Sequence, residues 1–289
     1  MIFLTVVQND PMPDRLLICT DMDRTLIPNG PQPESLQAMP LFKKLVSREN
    51  IALAYVTGRD KKLVQEAIKT YDLPVPDYAI TDVGTAVYAI QSSQWERCGD
   101  WEQKIAGDWK NKKHQELAVL LSDLDECLLQ EKEKQSLYKL SYYVSLKTDP
   151  IPLVKEIQLR MKRNGVQANT VWSIDEQKKT GLLDVLPAGA DKRKAVEFLM
   201  EMQSFDHTNT VFSGDSGNDL IVLVSPLKSI LVANASDQLK SDVKKHADRN
   251  DSSAHLYIAC GGYQNMNGNY AAGILEGLNH YFPELNLFE

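Results

Sequence analysis

The stretch LLICTDMDRTL, residues 16–26, decides the fold of this 289-residue chain. Its five largely apolar residues run directly into two acids one residue apart, Asp21 and Asp23, and the turn formers Pro28, Asn29 and Gly30 follow. A short apolar run bounded by turn residues is typical of a buried strand in a parallel sheet. The sequence therefore predicts a strand that ends by bringing two carboxylates to one edge of a sheet.

Short apolar runs alternate with helical patterns at both ends of the chain. The runs predict strands at 51–56, 78–84, 210–215, 229–234 and, at an edge, 256–260. The apolar spacing predicts helices at 35–48, from 60, after 191, from 218, at 236–246 and at 270–282. Pro40 indicates that the first of these helices begins late or is kinked. This alternation predicts a doubly wound, Rossmann-like α/β core with a parallel sheet.

The middle of the chain has a different pattern. In KLSYYVSL (139–146) and QANTVWSI (167–174), apolar and polar residues alternate, and a long charged helical stretch precedes them. Alternation is typical of antiparallel strands with one covered face, so we predict an inserted α+β domain. We expect a core domain at 14–85 and 185–289, an inserted domain at 86–184, and an N-terminal extension at 1–13.

Composition excludes some function classes. The net charge is −7 with both signs mixed throughout, which does not favour nucleic acid or an anionic membrane as a partner. The apolar start MIFLTVVQND is short and lacks a basic leader, so we expect a cytoplasmic protein. The four cysteines are scattered without paired spacing, which predicts neither a zinc site nor disulfides.

Acidic or polar groups follow several of the predicted core strands. Besides Asp21 and Asp23, these are the segments Thr57-Gly58-Arg59 and 214–219, which contains Asp215 and Asp219. Since the ligand crevice of an open parallel sheet lies at the carboxyl ends of its strands, we expect the four acids to converge. Clustered carboxylates need a counter-charge, and Mg²⁺ prefers oxygen ligands. The sequence therefore predicts a magnesium site that also receives an anion.

The neighbouring residues suit a phosphate group. Thr25 and Thr57 bring hydroxyl groups to the strand ends, and Lys192 lies in the first turn of a predicted helix, whose N-terminus attracts anions. Such a site can transfer a phosphoryl group. Asp21, held by the strand, is the predicted nucleophile, and Asp23 is the predicted general acid and base.

A second D-x-D occurs in SDLDECLLQ, residues 122–130. Before and within this segment, leucines recur at helical spacing, namely Leu117, Leu120, Leu121, Leu124 and Leu128. This spacing predicts an amphipathic helix with Asp123 and Asp125 on its solvent side. The D-x-D pattern alone therefore does not predict a catalytic site.

The ordered set of motifs resembles the haloacid dehalogenase (HAD) superfamily. The motifs are D-x-D-x-T after a strand, a threonine at a second strand end, a lysine that opens a helix, and GDSGND. Within it, the chain resembles the sucrose-phosphate phosphatase family over nearly its whole length, in LAYVTGR, PDYAITDVGT, YKLSYYVSL, LLDVLPAGADKRKA and AAGILEGLNHYF. The inserted domain resembles the superfamily's type C2B cap. The resemblance implies a Mg²⁺-dependent phosphatase for sucrose 6-phosphate that works through an aspartyl-phosphate.

The resemblance also assigns roles to residues. It implies that Asp21 is nucleophile and metal ligand, and that Asp23 is acid and base and ligates through its backbone carbonyl. Thr57 and Lys192 would hold the phosphate and Asp215 the metal. The remaining candidates are the metal or water ligands Asn218 and Asp219, the phosphate-side residues Thr25, Gly58 and Arg59, and the sugar-side residues Gly84, Thr85, Lys139, Tyr142 and Asp184.

Other functions stay open at this stage. The substrate could be another phosphorylated disaccharide or glycoside, such as mannosylfructose phosphate, or the chain could be a non-catalytic sugar-binding relative. A sugar-phosphate synthase is a further possible partner. Arg24 stands where the resembled family usually has Asn or Gly. Arg193 stands where Gly is common in that family. Arg24 could steer anionic substrates or form a salt bridge that points outward.

Overall fold

The computed structural model describes residues 14–175 and 178–286, so the predicted N-terminal extension lies outside the described residues. The strands are β1 Leu16–Thr20, β2 Ile51–Val56, β3 Tyr78–Thr81, β4 Ala86–Gln91, β5 Gln94–Arg97, β6 Leu128–Leu129, β7 Leu140–Val144, β8 Ala168–Asp175, β9 Thr180–Pro187, β10 Thr210–Gly214, β11 Lys228–Leu231 and β12 Leu256–Ile258. The α-helices are α1 Ala38–Val46, α2 Lys61–Thr70, α3 Gly99–Ala106, α4 His114–Val119, α5 Pro150–Arg163, α6 Lys192–Gln203, α7 Leu220–Leu223, α8 Asp237–Arg249 and α9 Ala271–Tyr281. The first helix begins late, with Pro40 in its first turn, as the sequence indicates.

Eight strands form a large sheet in the order β12-β11-β10-β1-β2-β3-β4-β5. The six strands from β12 to β3 are parallel, and the β4–β5 hairpin continues the sheet antiparallel. Strand β1 lies in the middle, between β2 and β10, and all five of its residues are buried. The predicted parallel α/β core is therefore confirmed.

The large sheet is covered on both faces. Leu16 and Ile18 of β1 pack on one face with residues of α1, α2 and α9. Leu17 and Cys19, which alternate with them, pack on the other face with residues of α3, α6, α7 and α8. A strand with helices on both sides must be apolar at every position, which explains the uninterrupted LLIC run.

A small antiparallel sheet, in the order β6-β7-β9-β8, forms a separate layer. Helices α4 and α5 cover one of its faces, with a hydrophobic core of its own. The sheets divide at other residues than the expected limits 86 and 184. The β4–β5 hairpin (86–97) pairs with the large sheet, and β9 continues in the small sheet to Pro187. Assigning these parts to two domains remains a prediction.

The prediction of an amphipathic helix through the second D-x-D is wrong. Helix α4 ends at Val119, turns follow over 120–126, and Leu128 begins strand β6. Leu121 is buried from a turn, whereas Leu128 is 69% exposed on the edge of the small sheet. The regularly spaced leucines are therefore distributed over a helix, a turn segment and an edge strand. Asp123 and Asp125 are exposed, as predicted.

Two further observations concern the cysteines and the length of the helices. All four cysteines are free, in agreement with their scattered positions. Over residues 14–175 and 178–286, the helices are too short or too polar to cross a membrane.

Candidate active site

Two neighbouring strands end in the acids that form the centre of the site. Thr20 of β1 lies opposite Ser213 of β10, and the backbone N–H of Asp21 donates to the Ser213 carbonyl (2.8 Å). Asp215 follows β10, and Asp219 closes the next 3₁₀ turn. One carboxylate oxygen from each of Asp21, Asp215 and Asp219 lies within 4.8 Å of the others. We call these three buried residues the carboxylate cluster.

Lys192, the first residue of α6, places a buried ammonium group beside the carboxylate cluster. The Asp191 side chain caps its N-terminus by accepting from the backbone N–H of Lys194 (2.8 Å), which sets where the helix begins. The ammonium group of Lys192 lies 2.7 Å from Asp219 Oδ1 and 3.2 Å from Asp21 Oδ1, and it donates to Asn218 Oδ1 (2.9 Å). Burial alone would lower the pKa of Lys192, but the two carboxylates raise it above its ordinary value. Lys192 is therefore a fixed positive charge.

One lysine does not neutralise the cluster. Burial raises the pKa of Asp21 to about 7, Lys192 opposes this, and Asp219 and Asp23 add to it. Burial also raises the pKa of Asp215 well above its ordinary value, and the charges of Asp21 and Asp219 raise it further. Carboxylates under this strain favour a bound cation, because it removes both the desolvation cost and the repulsion.

Asp219 also orders the loop around the cluster. Its Oδ2 accepts from the backbone N–H groups of Asp215 (3.1 Å) and Ser216 (3.1 Å). A Cβ atom at Gly214 would lie 2.6 Å from the Asp219 Cγ, so this close approach needs glycine. Gly214 and Asp219, the first and last residues of GDSGND, are thus packed against each other in one turn.

The Asp23 carboxylate lies outside the cluster. Arg59 binds both of its oxygens, through Nε (2.7 Å) and Nη2 (2.6 Å), and Asn29 Nδ2 donates to it (2.7 Å). Burial alone would raise the pKa of Asp23, but the Arg59 hydrogen bonds and charge outweigh it, and the pKa falls below its ordinary value. Ligation through the Asp23 backbone carbonyl stays a prediction.

The predicted phosphate-side residues lie at the ends of β1 and β2. Thr25 Oγ1 donates to Asp215 Oδ1 (3.1 Å). Thr57 is buried at the end of β2, where its hydroxyl accepts from the backbone N–H of Arg59 (3.2 Å). The Gly58 carbonyl accepts a hydrogen bond from a second lysine, Lys139 (3.3 Å). Together with the pair Arg59–Asp23, these contacts connect the segments that follow β1, β2 and β10, and residue 139 of the small-sheet region joins them through Gly58.

A strained turn after β3 supports the start of α6. Asp82, Val83 and Gly84 have φ angles of 54°, 60° and 98° in succession. A Cβ atom at Gly84 would lie 2.4 Å from the Asp191 carbonyl and 2.8 Å from the Lys192 nitrogen. Thr85 Oγ1 closes the turn by donating to the Asp82 carbonyl (3.0 Å). Gly84 is therefore packed against the backbone that holds the catalytic candidate Lys192.

The three sugar-side candidates of the inserted region have different surroundings. Lys139 is buried, and its ammonium group lies 3.7 Å from Asp82 Oδ1 at the edge of the large sheet. Asp184 accepts from the Ser141 hydroxyl (2.5 Å), on the face of the small sheet opposite Leu183. Tyr142 is buried in the hydrophobic core that the small sheet forms with α4 and α5. Because side chains alternate along a strand, residues 141 and 142 lie on opposite faces of the small sheet, and a contact of Tyr142 with the sugar stays a prediction.

Some supporting residues were missed. Asn29 holds Asp23, and Asn234 Nδ2 donates to the Arg24 carbonyl (2.6 Å). Asn234 follows β11 closely, so the strand-end argument that selected Asp215 could also have found it. Arg193 forms a surface pair with Glu197 (2.7 Å) on α6 and does not enter the cluster.

The chain is similar to known proteins in sequence and in fold. The chain matches the model of the family described as sucrose-6F-phosphate phosphohydrolase over residues 14–282. A Nitrosococcus oceani protein, described provisionally as a HAD-like hydrolase, is 48% identical over 94% of this chain and 73% of its own. Sucrose-phosphatase 1 of Nicotiana tabacum is 28% identical over 92% of this chain, which spans 59% of the tobacco protein. The Synechocystis sucrose-phosphatase structure, solved with sucrose and phosphate, shares the fold with a TM-score of 0.75 at 23% identity, over 93% of this chain and 98% of its own.

Proposed function

The chain belongs to the sucrose-6F-phosphate phosphohydrolase family and is a HAD-fold phosphoric monoester hydrolase, and from this premise we propose that it hydrolyses sucrose 6-phosphate to sucrose and phosphate. The observation that carries the proposal is the meeting of Asp21, Asp215 and Asp219 with Lys192 at the ends of β1 and β10. Together they form a buried centre whose charges suit a phosphate group.

The residues of the carboxylate cluster fit Mg²⁺. All three offer hard oxygen ligands, and the raised pKa values of Asp21 and Asp215 indicate a shortage of positive charge. Asp21 and Asp215 would hold the ion with the Asp23 backbone carbonyl, and Asn218 and Asp219 would ligate it or orient its waters. When bound, Mg²⁺ supplies positive charge to the phosphate oxygens.

Asp21 attacks phosphorus in the proposed first step. The sheet fixes its backbone through the Ser213 carbonyl, and Lys192 holds one carboxylate oxygen, so the other can face the phosphate. The Asp21–phosphorus bond forms as the bond to the sugar oxygen breaks. Thr57 and Lys192, with the backbone of Gly58 and Arg59, bind the phosphate oxygens. Water then cleaves the aspartyl-phosphate, which regenerates Asp21.

Asp23 exchanges the protons. It first gives one to the departing sugar oxygen and then takes one from the attacking water. With Arg59 and Asn29 bound, Asp23 is stabilised as a carboxylate, which is the form that acts as a base. The acid step requires a protonated Asp23, so Arg59 must loosen its hold while the ester is bound.

The sugar would lie between the large-sheet crevice and the inserted region. Lys139 supports this part of the proposal, because its ammonium group reaches Asp82 and the Gly58 carbonyl beside the ends of the large-sheet strands. Asp184, Gly84 and Thr85 remain predicted sugar-side residues. Closure by the inserted region would exclude water during the first step. The cytoplasmic location and a synthase partner remain predictions.

A substrate panel tests the proposal. Phosphate release is measured from sucrose 6-phosphate, mannosylfructose phosphate and monosaccharide phosphates, each with MgCl₂ and with EDTA. We expect sucrose 6-phosphate to react fastest, EDTA to abolish turnover and added Mg²⁺ to restore it. Preference for a different glycoside would change the substrate and keep the chemistry. Sucrose binding without phosphate release from any ester would instead support a non-catalytic relative.

A further inference from the structure

Arg24 turns inward, toward the carboxylate cluster. Its Nε lies 3.4 Å from Asp215 Oδ2, and the side chains of Arg24 and Asp215 are 18% and 4% exposed. The sequence left open a salt bridge that points outward and a role in steering anions. The structure shows a largely buried ion pair with a residue of the cluster.

Several contacts hold Arg24 in this position. Its backbone has φ 59°, in the left-handed region that side-chain-bearing residues rarely adopt. Its N–H donates to Asn29 Oδ1 (2.8 Å), its carbonyl accepts from Asn234 Nδ2 (2.6 Å), and Nη2 donates to the Asn234 carbonyl (3.5 Å). Asn29 in the loop after β1 and Asn234 in the loop after β11 therefore maintain an unfavourable backbone conformation, and this conformation accompanies the contact of Arg24 with Asp215.

The acids of the carboxylate cluster are shared between two cations of the protein, Lys192 and Arg24. Lys192 contacts Asp21 and Asp219, whereas Arg24 contacts Asp215. Each acid of the cluster thus faces a protein cation. A divalent ion that binds here gains the attraction of three carboxylates but is repelled by the guanidinium group beside Asp215.

We propose that Arg24 is a positioning residue that serves as a built-in counter-charge of the metal centre. It stabilises Asp215 in the metal-free protein and weakens the binding of Mg²⁺. This inference rests on the proposed function, because it takes Mg²⁺ as the ion. It reaches further, since it makes the metal affinity of this chain a property of residue 24.

The test compares Arg24→Gln, which removes the charge, with Arg24→Lys, which keeps it, in the full chain. Titration calorimetry measures MgCl₂ binding to EDTA-treated, dialysed protein, and thermal unfolding is followed in EDTA. We expect Arg24→Gln to bind Mg²⁺ about tenfold more tightly than wild type and to melt at a lower temperature in EDTA. Arg24→Lys should stay close to wild type, and so should the control Arg193→Gln on the surface of α6.

Tighter metal binding by a less stable protein is the distinguishing result, because a merely structural arginine would lose affinity together with stability. Equal Mg²⁺ affinity in wild type and Arg24→Gln overturns the inference, as does an equal change in the Gln and Lys variants. Arg24→Asn, which suits the left-handed backbone, gives the same comparison if the Gln variant does not fold. A wild-type chain that binds no Mg²⁺ overturns the proposed function as well, whereas equal affinities in a chain that releases phosphate overturn only the role of Arg24.

Discussion

The chain contains two D-x-D segments, and they have opposite surroundings. Asp21 follows the central strand of the large sheet and is 4% exposed, beside Lys192 and the other acids of the carboxylate cluster. Asp123 lies in a turn after α4, and its side chain is 70% exposed. The same three-letter pattern thus forms a catalytic candidate in one place and a solvated surface in the other.

The presence of an arginine does not distinguish the two segments. Asp23 is paired with Arg59, and Asp123 is paired with Arg160. Both arginines hold the pKa of their partner below its ordinary value, against the effect of burial at Asp23. The difference lies in the strand that carries Asp21 into the crevice and in the second strand that brings Asp215 beside it. The elements around the motif, rather than its letters, determine its chemistry.

The strongest test of this comparison replaces one acid in each segment. Asp21→Asn should lower phosphate release about a thousandfold or more, because the amide is not a nucleophile. Asp123→Asn should leave turnover within about twofold, since an exposed ion pair contributes little. Phosphate release and thermal unfolding are measured for both variants. A similar loss in the two variants, with both folded, would contradict the assignment of Asp21.

A second test changes the turn that packs against the start of α6 and leaves the charged side chains of the site in place. Gly84→Ala would place a methyl group against Asp191 and Lys192, at a φ angle that disfavours alanine. We expect a loss of about 2–4 kcal/mol in the free energy of unfolding and a fall of about tenfold or more in kcat, as Lys192 shifts. The free energy is obtained from denaturant unfolding.

Gly107→Ala is the matched control for that change, because a Cβ atom at Gly107 meets nothing within 4 Å. It should behave as wild type in both measurements. Unchanged kcat in Gly84→Ala would show that the turn after β3 does not position Lys192.

The smallest of the expected effects concerns the two arginines. Arg59→Gln removes the contacts that lower the pKa of Asp23, so this pKa rises. Because the base form of Asp23 is lost below its pKa, the acidic limb of the kcat profile should move to higher pH by about one unit. The pH profile of kcat is recorded for Arg59→Gln and for Arg160→Gln. Arg160→Gln should keep the wild-type profile. An equal shift in both variants would show that the acidic limb does not report the protonation of Asp23.

Much of the core and its site could be predicted because the ends of buried strands can be recognised in a sequence. An apolar run that stops at an acid identifies both the strand and the residue at its end, as at Asp21 and Asp215. The rule that ligands bind beyond the carboxyl ends of parallel strands then brings distant residues together. The N-cap of α6 at Asp191 was equally readable, and it places Lys192 in the first turn.

The remaining features depend on contacts that no local pattern encodes. The β4–β5 hairpin pairs with the large sheet although it precedes the small one, because backbone pairing and not apolar spacing selects the partner strand. The leucines after α4 have helical spacing but are distributed over turns and an edge strand. The inward direction of Arg24 results from a left-handed backbone held by Asn29 and Asn234, which lie in separate loops.

The position of β1 between β2 and β10 also has a consequence for the synthesis of the protein. Translation delivers β1 to β5 long before β10, so a growing chain can assemble one half of the large sheet with β1 as its open, apolar border. Asp21 is then exposed at that border without Asp215 or Asp219. Ribosomes must pass residue 219 before the enzyme can gain activity, and until then β1 is a segment that chaperones would need to shield.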